Sequence, residues 1–150
     1  MTTGEASTAK DKVAAILKQR VAPELRAMGF KGSGQNYHLP VPGHFALLGF
    51  QKARFGTRHD VMFTINLLAC SHADWAALAQ TKPYYGEKPI VGAMYPPPVW
   101  GQRIGFVMPE PHDHWWHVLD DTDSDALADE VIDALREYGV PALRAHLPAD

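Results

Sequence analysis

The chain has 150 residues, of which 46% are hydrophobic and 21% are charged, and its formal net charge is −3 at pH 7. A chain of this length can form one domain that buries roughly 70% of its unfolded surface, and the composition excludes a disordered or fibrous protein. The chain has 14 Lys and Arg residues and 17 Asp and Glu residues, so its net charge provides no strong positive field. We therefore expect no nucleic-acid partner.

No segment approaches the roughly 20 apolar residues that span a bilayer, and the N-terminus lacks the apolar run of a signal peptide. We therefore expect a single cytoplasmic domain over residues 1–150, without membrane contact and with a flexible tail at residues 1–8. Cys70 is the single cysteine, so an internal disulfide or a thiolate metal cluster is excluded. We expect no cofactor, and a monomer or a homodimer.

Apolar residues recur at spacings of three and four between Ala9 and Met28, which predicts an N-terminal helix that ends at Gly29. Pro23 lies inside this pattern, where it removes a backbone hydrogen bond and clashes with the carbonyl four residues earlier. A kink or a break is expected there. One bent helix and two short helices are both compatible with the pattern.

The hydrophobic period then changes to two, which predicts strands joined by short loops and hence an antiparallel meander. In "DVMFTINLLA" the apolar residues alternate with Met62, Thr64 and Asn66, as in a sheet with one covered and one more open face. "KGSGQN" lacks a third glycine and is interpreted as a turn. The predicted strands cover residues 36–39, 44–53, 60–69, 102–108 and 114–119.

Ser71 is a predicted N-cap for a short helix, after which residues 81–100 contain five prolines with tyrosines between them. A connection of this length without regular structure is usually a lid, a binding loop or a cover over a sheet edge. A last helix is predicted from Ser124 to Tyr138, with a stop at Gly139 and a short helical tail from Pro141. The predicted fold class is α+β: an antiparallel meander of about five strands, with an N-terminal and a C-terminal helix packed on the sheet.

The stretch "PEPHDHWWHVLDDTDSD" resembles a metal site in composition. Alternation on a strand places His112 and His114 on one side and His117 on the other, which leaves fewer than the three ligands of a catalytic zinc site. We favour histidines that flank a tryptophan pair covering the core, and we predict no metal ligand.

The aspartates of the same stretch match the first three ligand positions of a calcium-binding loop, but Ala126 and Ile132 occupy its glycine and glutamate positions. Thr122 followed by Asp125 instead fits a helix cap. Near Cys70 the thiol and the His72 imidazole could form an activated nucleophile, yet such a cysteine is more often an inert hydrophobe. The sequence identifies no catalytic residue, which favours a protein that is not an enzyme.

Five short motifs occur in order along the chain: "MGFKGSGQNYH", "LLGFQKAR", "FTINLLA", "WGQRIGF" and "WWHVL". Together with the C-terminal helix they resemble the bacterial family catalogued as domain of unknown function 4304. The resemblance covers about Ala14 to Leu143 and leaves out the proline-rich segment at residues 81–98. The family carries no established activity, and the three histidines are outside its pattern.

The resemblance singles out motif residues that a packing argument would not require, and we take them as candidate ligand-binding residues. Alternation places Asn66 and Arg103 opposite the apolar faces of their strands, so these polar groups could converge beside a tryptophan in a small-ligand pocket. A buried hydrogen-bond network that ties the strands together is the alternative. The candidate residues are Gln51, Lys52, Asn66, Arg103 and Trp115 or Trp116.

We therefore expect a non-enzymatic domain that binds a small molecule or a protein through the open sheet face and residues 81–100. One alternative is a metal-dependent hydrolase that uses His112, His114 and His117. Another is a small acidic inhibitor or immunity-type protein. The sequence does not identify the ligand.

Overall fold

The structure is a computed structural model, and it describes residues 7–148. It contains a six-stranded antiparallel sheet in the order β1-β2-β3-β4-β5, with β6 paired to β4 beside β5. The predicted α+β class is confirmed, and β1 is an additional short strand in the segment interpreted as a turn. The strands are β1 Lys31–Ser33, β2 Asn36–His38, β3 His44–Lys52, β4 Asp60–Ser71, β5 Trp100–Arg103 and β6 Trp116–Leu119.

Strand β4 is the centre of the sheet. It pairs with β3 along its length on one edge, and on the other edge its first half pairs with β6 and its second half with β5. Phe63, Ile65 and Leu67 face the main core, as the alternation predicted. Thr64 and Asn66 on the opposite face are also buried, so the prediction of a more open face is wrong for this part of β4.

The N-terminal helical region consists of α1 (Ala9–Ala15), a π-helical segment (Ile16–Val21) and α2 (Ala22–Ala27). Helical structure therefore continues past Pro23, and the predicted break does not occur. The Ala22 N–H bonds to the carbonyl of Leu17, one residue further back than in an α-helix. This wide turn ends just before Pro23, which has no N–H to donate, so the proline falls at the start of a new α-helical segment.

The C-terminal region follows the same plan, with α4 (Ser124–Ala134), a π-helical segment (Leu135–Gly139) and α5 (Val140–Ala145). The predicted stop at Gly139 is wrong, because this glycine has helical dihedral angles. A Cβ atom at residue 139 would lie 2.8 Å from Ile104 Cδ1. Gly139 therefore allows close packing against Ile104 and does not end the helix.

Helix α4 begins at Ser124, as predicted, but its capping residue differs from the predicted Thr122 by one position. Asp123 is the N-cap, and its carboxylate accepts a hydrogen bond from the Ala126 N–H at 3.1 Å. Thr122 Oγ1 instead accepts from the Leu119 N–H at 2.8 Å, and so ends β6. The aspartate run is thus a turn followed by a helix start, as interpreted, but its capping residue is the aspartate.

A second layer covers the other face of the sheet. It consists of α3 (His72–Thr81), a 3₁₀ turn (Pro83–Tyr85) and the proline-rich segment that follows. Ser71 caps α3, as predicted, by accepting from the Asp74 N–H. Trp75 packs against Tyr85 and Tyr95 with ring centroids 5.5 and 4.9 Å apart. This small aromatic core holds residues 82–99 against the sheet.

The predicted strand at residues 102–108 is shorter in the structure, since β5 ends at Arg103 and a 3₁₀ turn (Ile104–Val107) follows. Gly105 accounts for this difference. Its carbonyl accepts a hydrogen bond from the His112 N–H at 3.2 Å, and the backbone at residues 112–114 passes directly over its α-carbon. The chain therefore folds back before entering β6, and the predicted strand start at His114 moves to Trp116.

Most of the predicted tail at residues 1–8 lies outside the described residues. Thr8 lies within them and caps α1, because its hydroxyl accepts from the Asp11 N–H at 3.2 Å. The Asp11 carboxylate accepts from the Thr8 N–H in return, which completes a capping box. Between residues 7 and 148, no helix has the length and apolar composition that crossing a membrane requires.

We predict that Gly105→Ala strongly destabilises the fold. The new Cβ would clash with the His112 carbonyl and lie 2.5 Å from the His114 nitrogen, both of which are backbone atoms. The free energy of unfolding, measured by urea titration, should fall by about 3 kcal/mol. Gly101→Ala is the matched control, because its nearest neighbour would be at 3.7 Å. Equal stability of the two variants would contradict this account of the chain reversal.

Candidate functional site

Asn66 is the buried polar residue at the centre of the second sheet face. It lies in β4 directly opposite Arg103 of β5 and Gly49 of β3, and its side chain is 6% exposed. Its Nδ2 donates to Gln51 Oε1 at 2.8 Å, which joins β3 to β4. Asn66 Oδ1 has no hydrogen-bond partner among residues 7–148, so the amide retains an unused acceptor.

Arg103 is held in place by two neighbours from the segment that precedes β6. Its Nη1 donates to Asp113 Oδ2 at 2.8 Å, and its guanidinium carbon lies 5.1 Å from the centre of the Trp115 ring. A guanidinium has five N–H donors in a planar fork, so most of them remain available after the bond to Asp113. The half-exposed Arg103 is therefore held in one orientation, while most of its N–H donors have no partner among the described residues.

A cleft of about 490 Å³ opens between these residues and the proline-rich segment. Asn66 and Arg103 form its polar floor, while Gly92 approaches so closely that a Cβ there would lie 3.0 Å from Asn66 Nδ2. The absence of a side chain at residue 92 thus keeps the amide accessible. The apolar walls come from Met94, Pro97, Val99 and Phe106.

The structure separates the residues that the resemblance singled out. Gln51, Asn66, Arg103 and Trp115 lie on the second face of the sheet. Trp116 lies on the opposite face, where it stacks on Phe63 in the main core at 5.5 Å. Lys52 is the last residue of β3 and pairs with Phe63 of β4, so it lies on the same face as Phe63. It borders a different cleft. Of the two tryptophans, Trp115 is therefore the one beside the polar residues.

The three histidines do not form one cluster. His112 Nε2 and His114 Nδ1 are hydrogen-bonded at 3.1 Å, whereas His117 points to the other side of β6 and bonds to Asp60 at 2.6 Å. This division agrees with the predicted alternation. Within residues 7–148, no group of three or more His, Cys, Asp or Glu side chains is arranged to hold a metal ion.

Burial shifts the pKa of two groups, the His114 imidazole before β6 and the Cys70 thiol in β4. It lowers the pKa of His114, the neighbouring His112 lowers it further, and Glu130 partly opposes these effects. His114 is therefore neutral at pH 7. Burial, followed by the charge of Asp74, raises the pKa of the Cys70 thiol. A protonated, buried thiol is a poor nucleophile, which agrees with the interpretation of Cys70 as an inert hydrophobe.

A larger cleft, of about 860 Å³, lies between α3 and the β2–β3 connection, and the sequence analysis did not identify it. Its walls are mostly apolar, with Trp75 at the base and His38, His44 and His72 among the lining residues. The three histidines come from separate elements, so no spacing in the sequence connects them. The described residues that line it include no buried amide like Asn66 and no arginine like Arg103. We therefore assign the candidate site to the Asn66–Arg103 cleft, despite its smaller volume.

The fold and the cleft define a class of protein: an α+β domain whose six-stranded sheet has, on one face, a cleft with a polar floor and apolar walls. Residues 21–145 match the family model described as Domain of unknown function (DUF4304), so the chain belongs to that family. The resemblance in the five motifs is thus confirmed. Neither a curated protein nor a solved structure matches the chain.

We predict that His114 contributes to the loss of stability below neutral pH. Its pKa is lowered in the folded state from the ordinary value of 6.5, so the unfolded chain binds more protons just below that pH. The free energy of unfolding should therefore fall between about pH 7 and about pH 5.5, and less steeply in His114→Gln than in the wild type. His38→Gln, which changes an exposed histidine on β2, is the control. Parallel pH profiles for wild type and His114→Gln would disprove this role.

Proposed function

We propose that this protein is a non-enzymatic binding domain for a small molecule, and that its ligand occupies the Asn66–Arg103 cleft. The main observation that supports this proposal is the position of the Arg103 guanidinium beside the buried Asn66 amide. The two residues are paired across adjacent strands and form the polar floor of a cleft with apolar walls. Small-ligand sites typically combine apolar walls with a few placed polar groups. The volume of about 490 Å³ is in the range of such sites.

The chemistry of the floor favours a ligand with a carboxylate. Arg103 can present two parallel N–H donors to the two oxygens of a carboxylate, and such bidentate bonds are stronger than neutral ones. Asn66 Oδ1 can accept a hydrogen bond from a neighbouring hydroxyl or amine of the ligand. Phe106 and Pro97 can cover an aliphatic or aromatic body.

The lining of the cleft supports binding more than catalysis. The described residues around it include no carboxylate, histidine or thiol that could transfer a proton or attack a substrate. Tyr95 lines the cleft too, but its hydroxyl accepts a hydrogen bond from the Ile90 N–H at 2.9 Å. The site therefore has groups that recognise an anion and none that are placed for chemistry.

We predict that small carboxylic acids with an apolar body bind the protein, and that their primary amides do not. The probes are phenylacetate and hexanoate, each paired with its neutral amide, with binding followed by thermal shift and titration calorimetry. A ligand at about 100 times its Kd should add about 2.7 kcal/mol to the free energy of unfolding. Arg103→Gln should weaken binding of the acids at least about tenfold, because it removes the charge-assisted bonds.

Two further variants make this test specific. Asn66→Ala should also weaken binding while the protein stays folded, and Arg136→Gln, which changes an exposed arginine paired with Glu24, should leave binding unchanged. If Arg103→Gln and Asn66→Ala simply unfold, the polar residues serve as a network that ties the strands together. If the wild type does not distinguish the acids from the amides, a carboxylate ligand is ruled out.

A second candidate function is a protein interaction through the proline-rich segment, because three large apolar side chains are exposed there. Met94 is 96% exposed, and Tyr84 and Ile90 are also largely in solvent. Exposed clusters of this kind often mark interfaces. We predict that Tyr84→Ser with Ile90→Gln, which changes two exposed residues outside the cleft lining, abolishes capture of a partner from a lysate of the native host, while carboxylic acids still bind. Capture that is unchanged by this double variant would disprove the interface.

A further inference from the structure

The loop between β3 and β4 gathers positive charge at the end of the sheet. A cleft of about 230 Å³ there is lined by four cationic side chains, in a protein whose net charge is −3. Lys10 comes from α1, and the other three come from the loop or its flanking strand. This place is separate from the Asn66–Arg103 cleft, since Lys52 lies on the other face of the sheet. The cations are Lys10, Lys52, Arg54 and Arg58.

These cations differ from Arg103 and Arg136 in their pairing. Arg103 and Arg136 each contact a carboxylate, whereas within residues 7–148 no carboxylate oxygen is within 4.0 Å of the Lys52, Arg54 or Arg58 charge. Like charges around one small cleft repel each other, and the repulsion grows as water is excluded. An anion bound between them would remove this repulsion.

The described carboxylates near the cleft, Asp60 and Asp120, offset only part of its positive charge. Asp60 lines the cleft, but its carboxylate bonds to His117 at 2.6 Å. His59, next along the loop, bonds to Asp120 at 2.8 Å, and the Ala9 N–H bond and then His59 keep the pKa of Asp120 below its usual value. Each carboxylate keeps its negative charge in its bond to histidine, but the four cations of the cleft still outnumber these two carboxylates.

The backbone of the loop adds hydrogen-bond donors. The N–H groups of Arg54, Phe55 and Gly56 have no acceptor in the described part of the chain. The loop is held in shape by hydrogen bonds between Thr57 and Asp60, and by the Lys10 N–H donating to the Arg58 carbonyl at 2.9 Å. Successive backbone N–H groups in a turn can form a concave site for an anion.

Phe55 lies at the tip of the same loop and is 85% exposed, although it also lines the cleft. Beside a cluster of cations, its flat face is available to stack on a planar ring of a ligand, as aromatic side chains stack on nucleobases.

We propose that this loop is a second binding site, for a small phosphate ester that carries a planar ring. Arg54, Arg58 and Lys52 hold the phosphate, and Phe55 stacks on the ring. A phosphate monoester carries close to two negative charges and several acceptor oxygens, which matches three or four cations better than a single carboxylate does. A nucleoside monophosphate has this chemistry.

The test uses the full chain and three probes: inorganic phosphate, AMP and adenosine. Calorimetry at low salt should show that AMP binds more tightly than phosphate, that adenosine binds weakest, and that sodium chloride weakens both anions. Arg54→Gln with Arg58→Gln should weaken AMP binding at least about tenfold, and Phe55→Ser should reduce the affinity for AMP to that for phosphate. Lys18→Gln with Lys31→Gln is the control, because it removes the same charge at exposed positions elsewhere.

Three results would overturn the proposal. The first is no binding of either anion to the wild type. The second is an equal loss of affinity in the loop variant and in the control, because general charge would then explain binding. The third is binding of an acidic peptide or an oligonucleotide without binding of AMP, since the loop would then recognise a macromolecule. The phenylacetate titration of the loop variant separates the two sites: it should be unchanged if the Asn66–Arg103 cleft binds carboxylates.

Discussion

The burial of β4 on both faces is the constraint on which the rest of the structure depends. Phe63, Ile65 and Leu67 join the main core with the two long helical regions, while Leu68 and Cys70 join the smaller core under the proline-rich segment. A strand buried on two faces has to satisfy every polar side chain it carries. The two buried polar residues of β4, Thr64 and Asn66, therefore determine which groups can pack on the second face of the sheet.

Each of these polar residues makes a hydrogen bond to a different part of the chain. Thr64 Oγ1 donates to the His114 carbonyl at 2.7 Å, which holds the segment before β6 against the sheet. That segment carries Asp113 and Trp115, the two neighbours that orient Arg103. Asn66 bonds to Gln51 and forms the cleft floor. The hydrogen-bond network and the candidate binding site are consequently the same residues, because the bonds that join the strands also orient the groups that face the cleft.

Much of the fold follows from hydrophobic period alone, since β3, β4 and both helical regions lie where apolar spacing predicted them. The errors fall where a distant segment decides the local structure. Gly139 is a helical residue because Ile104 packs on it, and β5 is short because the backbone near His112 crosses Gly105. In the site, alternation correctly placed Asn66 and Arg103 on one face, but the cover over that face depends on Trp75 and two tyrosines that no periodic pattern marks. The α3 cleft and the cationic loop likewise combine residues from separate elements.

Side-chain NMR of the wild-type protein tests the central claim most directly. During a titration with phenylacetate, the Nδ2 resonance of Asn66 and the Nε resonance of Arg103 should shift together and saturate at one ligand per chain. Resonances of residues in the α3 cleft, such as the Trp75 indole, should stay in place. Shifts confined to the α3 cleft, or no saturable shift at Asn66 and Arg103, would contradict the assignment of the binding site to the cleft on the second face of β4.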